Sequence, residues 1–123
     1  MKTRIGLKRK LVAGAMAVAA ALASQAALAG AGGLRAADVV RARHTDIYNM
    51  TFTGGSTAVV AISGDGDSDL DLYVYDQNGN LICRATGRGD DEACRWTPRW
   101  TGRFRVEVRN LGGIANRYQL ATN

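Results

Sequence analysis

Between Asp46 and Thr122, segment after segment places apolar residues at every second position, and this periodicity confines those segments to β-strands. Tyr48, Met50 and Phe52 share one face of the segment 46–53. Leu70, Leu72 and Val74 alternate with Asp69, Asp71, Tyr73 and Tyr75. Phe104, Val106 and Val108 alternate with Arg103, Arg105, Glu107 and Arg109, and Tyr118 and Leu120 begin a last strand running toward Thr122. Thr57–Ser63 is an almost continuous β-branched run, which predicts a strand buried on both faces. Segments 80–85 and 93–97 form a further pair that carries the two cysteines. No stretch after residue 45 shows the i, i+3, i+4 spacing of an amphipathic helix.

The turns fall between these runs, at Gly54-Gly55, Gly64-Asp65-Gly66, Asn78-Gly79, Gly87 with Gly89, Thr101-Gly102 and Gly112-Gly113. Asn78-Gly79 predicts a tight hairpin of type I′, whose two central residues both take positive φ. Seven short strands at this spacing predict an all-β fold, an antiparallel sandwich or barrel. Residues 30–37 read as a flexible leader, and Ala37–Arg43 is open between a short helix and an edge strand. No internal repeat or second domain is visible, so the expected organisation is 1–29, 30–43 and a β-domain over 44–123.

The first 29 residues have the layout of a cleavable export signal. Lys2, Arg4, Lys8, Arg9 and Lys10 precede an apolar run from Leu11 to Ala23, and small residues follow at Ala27-Leu28-Ala29, with Ser24-Gln25-Ala26 as a second cleavage candidate. The run is too short for a span, which takes about 20 residues. No cysteine near the cleavage site offers a lipid anchor, and no Arg-Arg pair precedes the apolar run, so general secretion into the periplasm or beyond is expected. Removal of the signal changes the charge balance. The 16 Lys and Arg of the whole chain lose five, and the remaining 11, all arginine, match the 11 acids, so residues 30–123 are formally neutral. Nucleic-acid binding thereby loses its electrostatic basis.

A domain of this length has a thin core and benefits from a staple. Cys83 and Cys94 both lie in the exported part, and two cysteines in an oxidising compartment predict a disulfide. Zinc is disfavoured, because two Cys and the single distant His44 cannot supply four ligands at zinc spacing.

No catalytic residues stand out. His44 lies in a polar stretch before the first clear strand, and none of Ser56, Ser63 or Ser68 sits in a nucleophile-elbow context. Two constellations remain. Asp65, Asp67, Asp69 and Asp71, with Asp76 beyond, offer closely spaced carboxylates and glycine carbonyls to a calcium ion. The spacing superficially mimics an EF-hand loop, but Leu70 occupies the position that must be glycine and no helices flank it. The competing account is that Asp and Gly build the turn while Asp69 and Asp71 form the wet face of a strand; the acidic run Asp90-Asp91-Glu92 reads as a solvated loop tip. The second constellation is a ligand-binding face made by Tyr73, Tyr75 and Arg105, which suits a polypeptide or polysaccharide. Its competitor is cross-strand packing among the same side chains. Trp96 and Trp100, bracketing Pro98, are expected in core or rim packing.

Several of these stretches together resemble the bacterial pre-peptidase C-terminal domain. The resemblance rests on Asp46-Ile47-Tyr48-Asn49-Met50-Thr51-Phe52, on Gly55, on Val59–Ser63, and most specifically on Gly64-Asp65-Gly66-Asp67-Ser68-Asp69-Leu70-Asp71-Leu72-Tyr73-Val74-Tyr75-Asp76. Trp96-Thr97-Pro98, Thr101–Val108 and Tyr118-Gln119-Leu120 continue it, to a span of about 44–122. The resemblance implies a jelly-roll-like β-sandwich that is not itself catalytic, needs no cofactor and is usually appended to a secreted peptidase. In bacterial collagenases a similar domain binds collagen, and some members bind calcium. This chain departs from the pattern in carrying the domain alone behind a signal, and in its cysteine pair. The expected function is an exported accessory module that binds a protein or polysaccharide; the alternative is a structural or inhibitory partner of a separately encoded secreted peptidase.

Overall fold

The computed structural model describes residues 33–123, so the signal-peptide assignment lies outside the described residues. Eight strands and no helix are present there. They are β1 (Arg35–Val40), β2 (Thr45–Phe52), β3 (Ala58–Ser63), β4 (Leu70–Asp76), β5 (Leu81–Ala85), β6 (Asp91–Trp96), β7 (Gly102–Asn110) and β8 (Asn116–Thr122). They form two four-stranded sheets, ordered β1-β8-β3-β6 and β2-β7-β4-β5. The described residues divide into two units, Ala37–Leu120 and a second to which 33–36 and 121–123 belong. In the second, Thr122 accepts a hydrogen bond from the Gly33 amide at 3.2 Å and donates its own amide to Leu34 at 2.8 Å.

The unit Ala37–Leu120 holds the core. Ala58, Val60 and Ile62, with Cys94, Tyr118 and Leu120, meet Phe52, Leu70, Leu72, Val74, Phe104, Val106 and Val108, all buried. Each such side chain contributes about 1.5–3 kcal/mol by leaving water. The alternation read from β4 and β7 is the one observed: Leu72 pairs with Val108 and Val74 with Val106 on the inner face, Tyr73 with Glu107 and Tyr75 with Arg105 on the outer. At one end Phe52, Phe104 and Trp96 pack edge-on or tilted with centroids 5.0–5.9 Å apart. Cys83 on β5 and Cys94 on β6 are disulfide-bonded, Cα–Cα 6.0 Å, joining an edge strand of one sheet to an edge strand of the other.

Four expectations need correction. Thr57–Ser63 is buried on one face only, since Val59 and Ala61 are half-exposed; its β-branched residues reflect strand preference rather than double coverage. The segment 37–43, left open between helix and edge strand, resolves as an edge strand over 37–40 followed by a turn at 42–43; the correction is that 35–37 of the expected leader belong to the same strand, β1, whose sheet neighbour is β8. The Asn78-Gly79 hairpin exists, but only Gly79 takes positive φ, at 85°, and its amide donates to Asp76 O at 3.0 Å. That geometry is a type I turn closed by a glycine bulge, not type I′. Finally, Trp100 is not packed: it is 70% exposed, on a loop whose backbone is fixed to its neighbour by Gly55 N–H to Pro98 O (2.8 Å) and Gly54 N–H to Thr101 Oγ1 (2.9 Å).

Candidate functional site

His44 is a turn residue. Its Nδ1 lies 2.7 Å from the Ala42 carbonyl and donates to it, which leaves Nε2 to accept from Arg41 at 3.0 Å. Both ring nitrogens are thereby engaged locally. The Ser63 hydroxyl donates to Asp91 (2.9 Å) and that of Ser68 to Asn110 (2.9 Å), so neither is aligned on an imidazole.

The acidic run is split by the structure into separate roles. Asp65 accepts the amides of Asp67 (3.1 Å) and Arg117 (3.0 Å), and these bonds, the Arg117 one foremost, hold its carboxyl below the usual range. Asp67 is exposed, and the Asp65 charge beside it pushes its carboxyl up. Asp76 accepts the Asn78 and Asn80 amides, both at 2.9 Å, and the Asn80 side chain at 3.0 Å; the Asn80 contacts dominate in lowering its carboxyl. Asp69 and Asp71 stay together at the start of β4, and their charges are felt by Glu92, a residue that sequence reasoning left in a solvated loop. Glu92 is half-buried, and its carboxyl is raised first by desolvation and then by the charges of Asp71 and Asp69. A parity signal could have found it: Glu92, Cys94 and Trp96 share the face of β6 that pairs with Ile62, Val60 and Ala58, so an inward Cys94 implies an inward Glu92.

Below this group lies a polar node the sequence did not reveal. Asn110 and Asn116 are 1% and 0% exposed. Asn110 donates to Val40 O (3.2 Å) and Ile114 O (2.8 Å) and accepts from Ser68 Oγ and the Gly112 amide, both at 2.9 Å. That fills all four sites of its amide. Asn116 accepts the Asp65 amide (3.1 Å) and donates to Ser68 Oγ (3.0 Å) and Asp90 Oδ2 (3.2 Å). The Gly66 amide also donates to Asp90. A Cβ at Gly64 would collide with Asp90 and Asn116, which explains glycine there.

Across the sheets runs a second buried chain. Tyr118 Oη donates to Asp46 at 2.7 Å, so the Tyr48 hydroxyl, 2.7 Å away, donates to Tyr118. Burial is the main cause that raises both phenols above the ordinary tyrosine range.

The outer face of β2-β7-β4-β5 brings together the Tyr73, Tyr75 and Arg105 that the sequence singled out, with Arg109 of the same strand as Arg105, and adds Glu107 as their shared partner. The tyrosine rings stack, centroids 6.3 Å apart and planes 10° from parallel. The Arg105 guanidinium lies 4.4 Å from the Tyr75 centroid, and that of Arg109 lies 3.8 Å from Tyr73. Glu107, 9% exposed, is clamped by Arg105 Nε at 2.8 Å and by Arg109 Nε and Nη2 at 3.0 and 2.8 Å, and Arg109 Nη2 also donates to Tyr75 Oη at 2.9 Å. Burial opposes the charge on Arg109 but Glu107 outweighs it, so its pKa rises. The four side chains around Glu107 are thereby held in place by one another. By strand parity Arg84, Arg103, Arg105 and Arg109 share this face with Glu107 and the buried Asp71, an excess of positive charge.

Fold and surface thus define a disulfide-stapled, two-sheet antiparallel sandwich with an arginine–tyrosine face. No family model and no curated protein sequence matches the chain. Among solved structures, it is similar to the pre-peptidase C-terminal domain of a collagenase from Bacillus anthracis, with TM-score 0.59 and 12% identity over 73% of this chain and 88% of that one. It is also similar to PliG of Aeromonas hydrophila, a periplasmic inhibitor of g-type lysozyme, with TM-score 0.57 and 15% identity over 76% and 87% of the two chains. The resemblance read from the residues therefore holds at the level of the fold.

Proposed function

We propose that this chain is an exported, non-catalytic binding module that holds an extended polypeptide segment on the outer face of β2-β7-β4-β5. The observation that supports this reading is the prearranged ladder of Tyr73, Tyr75, Arg105 and Arg109 around Glu107. Stacked tyrosines give contact area at low entropic cost, and arginines held in place lose little freedom on binding. The positive excess of the face favours a segment carrying carboxylates with aromatic or prolyl side chains. Export is supported by the signal-like first 29 residues and by the Cys83–Cys94 disulfide. The fold relation to an accessory domain and to a protein inhibitor agrees with a role without chemistry of its own.

The test is an NMR titration with acidic, tyrosine-containing peptides and, in parallel, with soluble oligosaccharides. The amides of Tyr73, Tyr75 and Arg105 should shift with peptide and not with sugar. Tyr75→Ala or Arg105→Ala should weaken binding about tenfold, the effect of one moderate hot-spot residue. Peptide affinity unchanged in both variants would refute the face, and response to oligosaccharide alone would transfer the reading to polysaccharide.

A second reading, an inhibitory partner of a separately encoded secreted enzyme, is favoured by a different feature. Trp100 projects from a loop pinned to the 53–57 turn, a rigid protrusion suited to a partner's cleft. Loss of co-purification with a secreted peptidase on Trp100→Ala, with the ladder variants unaffected, would favour that reading.

A further inference from the structure

We propose that β2 pairs edge to edge with β2 of a second copy of this chain, so that two four-stranded sheets become one continuous sheet. Four strands end the sheets, β1 and β6 in one, β2 and β5 in the other. An open edge invites pairing with another chain, and folds ordinarily blunt it with charge, shortness, proline or a bulge. Three of the edges are blunted in this way. β1 carries Arg35 and Asp38, and β6 carries Asp91, Glu92 and Arg95. β5 has only five residues, carries Arg84, and meets β4 with a register shift between Val74 and Tyr75. β2 has none of these defences. It is eight residues long, keeps an unbroken register with β7 from Thr45 to Phe52, and contains neither proline nor glycine. Its one charged residue, Asp46, is engaged by the Tyr118 hydroxyl.

The hydrogen bonds of the neighbouring strand show which backbone groups of β2 are unspent. The Asn110 amide donates to His44 O and the Leu111 amide to Asp69 O, both at 2.9 Å. Such bonds alternate along an antiparallel ladder, so even-numbered residues of β7 bond toward β2 and odd-numbered ones toward β4. Through the register Asp46↔Val108, Tyr48↔Val106 and Met50↔Phe104, β7 satisfies the even-numbered residues of β2. The amides and carbonyls of Thr45, Ile47, Asn49 and Thr51 therefore point to the open side, where no strand among the described residues meets them. All four residues are exposed, and Ile47, the largest apolar side chain in the row, is 56% exposed.

This row is complementary to itself. Antiparallel pairing about a two-fold axis at Tyr48 sets Thr45 against Thr51 of the second copy and Ile47 against its Asn49, so all four unspent residues find partners. The row carries no charge, and residues 30–123 are formally neutral, so two copies meet without repulsion. The arginines of the outer face do not oppose the contact. The two β7 strands would stand three strand spacings apart, about 14 Å, beyond the Debye length of about 8 Å at physiological salt. The contact is about 27 Å long and about 10 Å across, smaller than a standard interface of about 1,600 Å², so the dimer is reversible and concentration-dependent. Edge pairing leaves the ladder around Glu107 uncovered and places two ladders on one face. The dimer itself does not rest on the polypeptide-binding reading.

The experiment is sedimentation velocity of the oxidised protein from micromolar to millimolar concentration, with amide hydrogen exchange followed by NMR at both ends of that range. The dimer fraction should grow with concentration. The amides of Thr45, Ile47, Asn49 and Thr51 should gain protection as it does, while those of Tyr48 and Met50 stay protected throughout. Ile47→Lys sets two cations diagonally across the axis and should weaken the dimer about tenfold or more. Asn49→Pro removes an amide that β7 does not use, so the fold should persist and the dimer should not form. Ile47 is more than half exposed, so Ile47→Lys serves where Asn49→Pro disturbs the strand. A monomer up to millimolar concentration, a dimer that survives in both variants, or protection gained elsewhere than at the odd-numbered amides would each overturn the assignment. Protection of those amides only on adding an acidic peptide would also overturn it, by giving the edge to a polypeptide strand. Peptide shifts at Tyr73, Tyr75 and Arg105 are read separately, so failure of the dimer and failure of the outer-face reading are distinguishable.

Discussion

Replacing Tyr118 with phenylalanine removes one oxygen from the middle of the only chain of hydroxyls described across the core. That oxygen donates to Asp46 at 2.7 Å and accepts from Tyr48 at 2.7 Å, on a ring that is 1% exposed. A hydrogen bond to a charged group contributes about 1.5–3 kcal/mol and a neutral one about 0.5–1.5 kcal/mol. Asp46 is half-exposed, so water recovers part of the first term, and a net loss of about 2 kcal/mol is expected. For a domain of this length that lowers Tm by roughly 8–16 °C. Tyr48→Phe removes only the outer link and should cost about 1 kcal/mol. Because both variants delete the Tyr48–Tyr118 bond, the double variant should fall short of the sum by roughly 0.5–1 kcal/mol. Urea unfolding followed by far-UV circular dichroism measures all three, and the m-value should not change. A Tyr118→Phe cost below about 0.5 kcal/mol, or additivity within about 0.3 kcal/mol, would refute the view that the three residues act as a unit.

The same pair of tyrosines sets an alkaline limit. Their folded-state pKa values are raised, so the stability they contribute is full below the unfolded tyrosine value of about 10 and is lost as pH climbs past it. An alkaline unfolding transition should therefore move to higher pH in the Tyr48→Phe, Tyr118→Phe double variant when each protein is referred to its own stability at pH 8; no relative movement would count against the burial argument. Asp71 and Glu92 have the same sign in a lower window: their raised carboxyls favour the folded state at acid pH, and that advantage is lost as pH rises through their folded values. In chelator at neutral pH, Asp71→Asn should raise Tm by roughly 4–8 °C, about 1 kcal/mol, and the gain should vanish near pH 3; destabilisation at neutral pH would show the carboxylate to be satisfied. Opening the Cys83–Cys94 loop, with its sequence separation of 11, should cost about 3 kcal/mol, read as a Tm drop on Cys83→Ser, Cys94→Ser; a drop below about 4 °C would mean the reduced chain is already constrained there. Trp100→Ala should leave Tm within about 2 °C, since an exposed side chain away from special contacts contributes within ±0.5 kcal/mol.

The parts of the fold visible in the sequence are those where local pattern and tertiary burial coincide. In Arg103–Arg109 every second side chain enters the core, so the alternation states both strand and face. β1 shows where this fails. Arg35-Ala36-Ala37-Asp38-Val39-Val40 has no alternation, and what makes it a strand is its place beside β8, a partner about 80 residues away along the chain. The outer-face residues Tyr73, Tyr75 and Arg105 followed from the parity of β4 and β7, but Glu107 as their clamp did not, because which charges pair depends on side-chain reach across the sheet. Of the acidic run, spacing alone could not divide Asp65 and Asp76, which accept backbone amides of nearby turns and strands, from Asp69 and Asp71, whose charges act on Glu92. Asn110 and Asn116 looked like turn residues because their partners, Val40, Ser68 and Asp90, lie in distant segments.

The position of β8 in its sheet has a consequence for how such a chain can be made. It is the last strand in sequence, yet it lies inside the order β1-β8-β3-β6, and it delivers Asn116, Tyr118 and Leu120 to the interior. A chain that emerges amino-terminus first therefore presents β1 and β3 with no strand between them, and neither sheet-spanning polar chain can form until residues near 120 are released. Folding of the sandwich therefore waits on the strand made last among the eight, and the segments made before it stay without their full set of sheet partners until then. The same arrangement makes the carboxy-terminal strand the point at which a short truncation should leave the chain unable to fold at all.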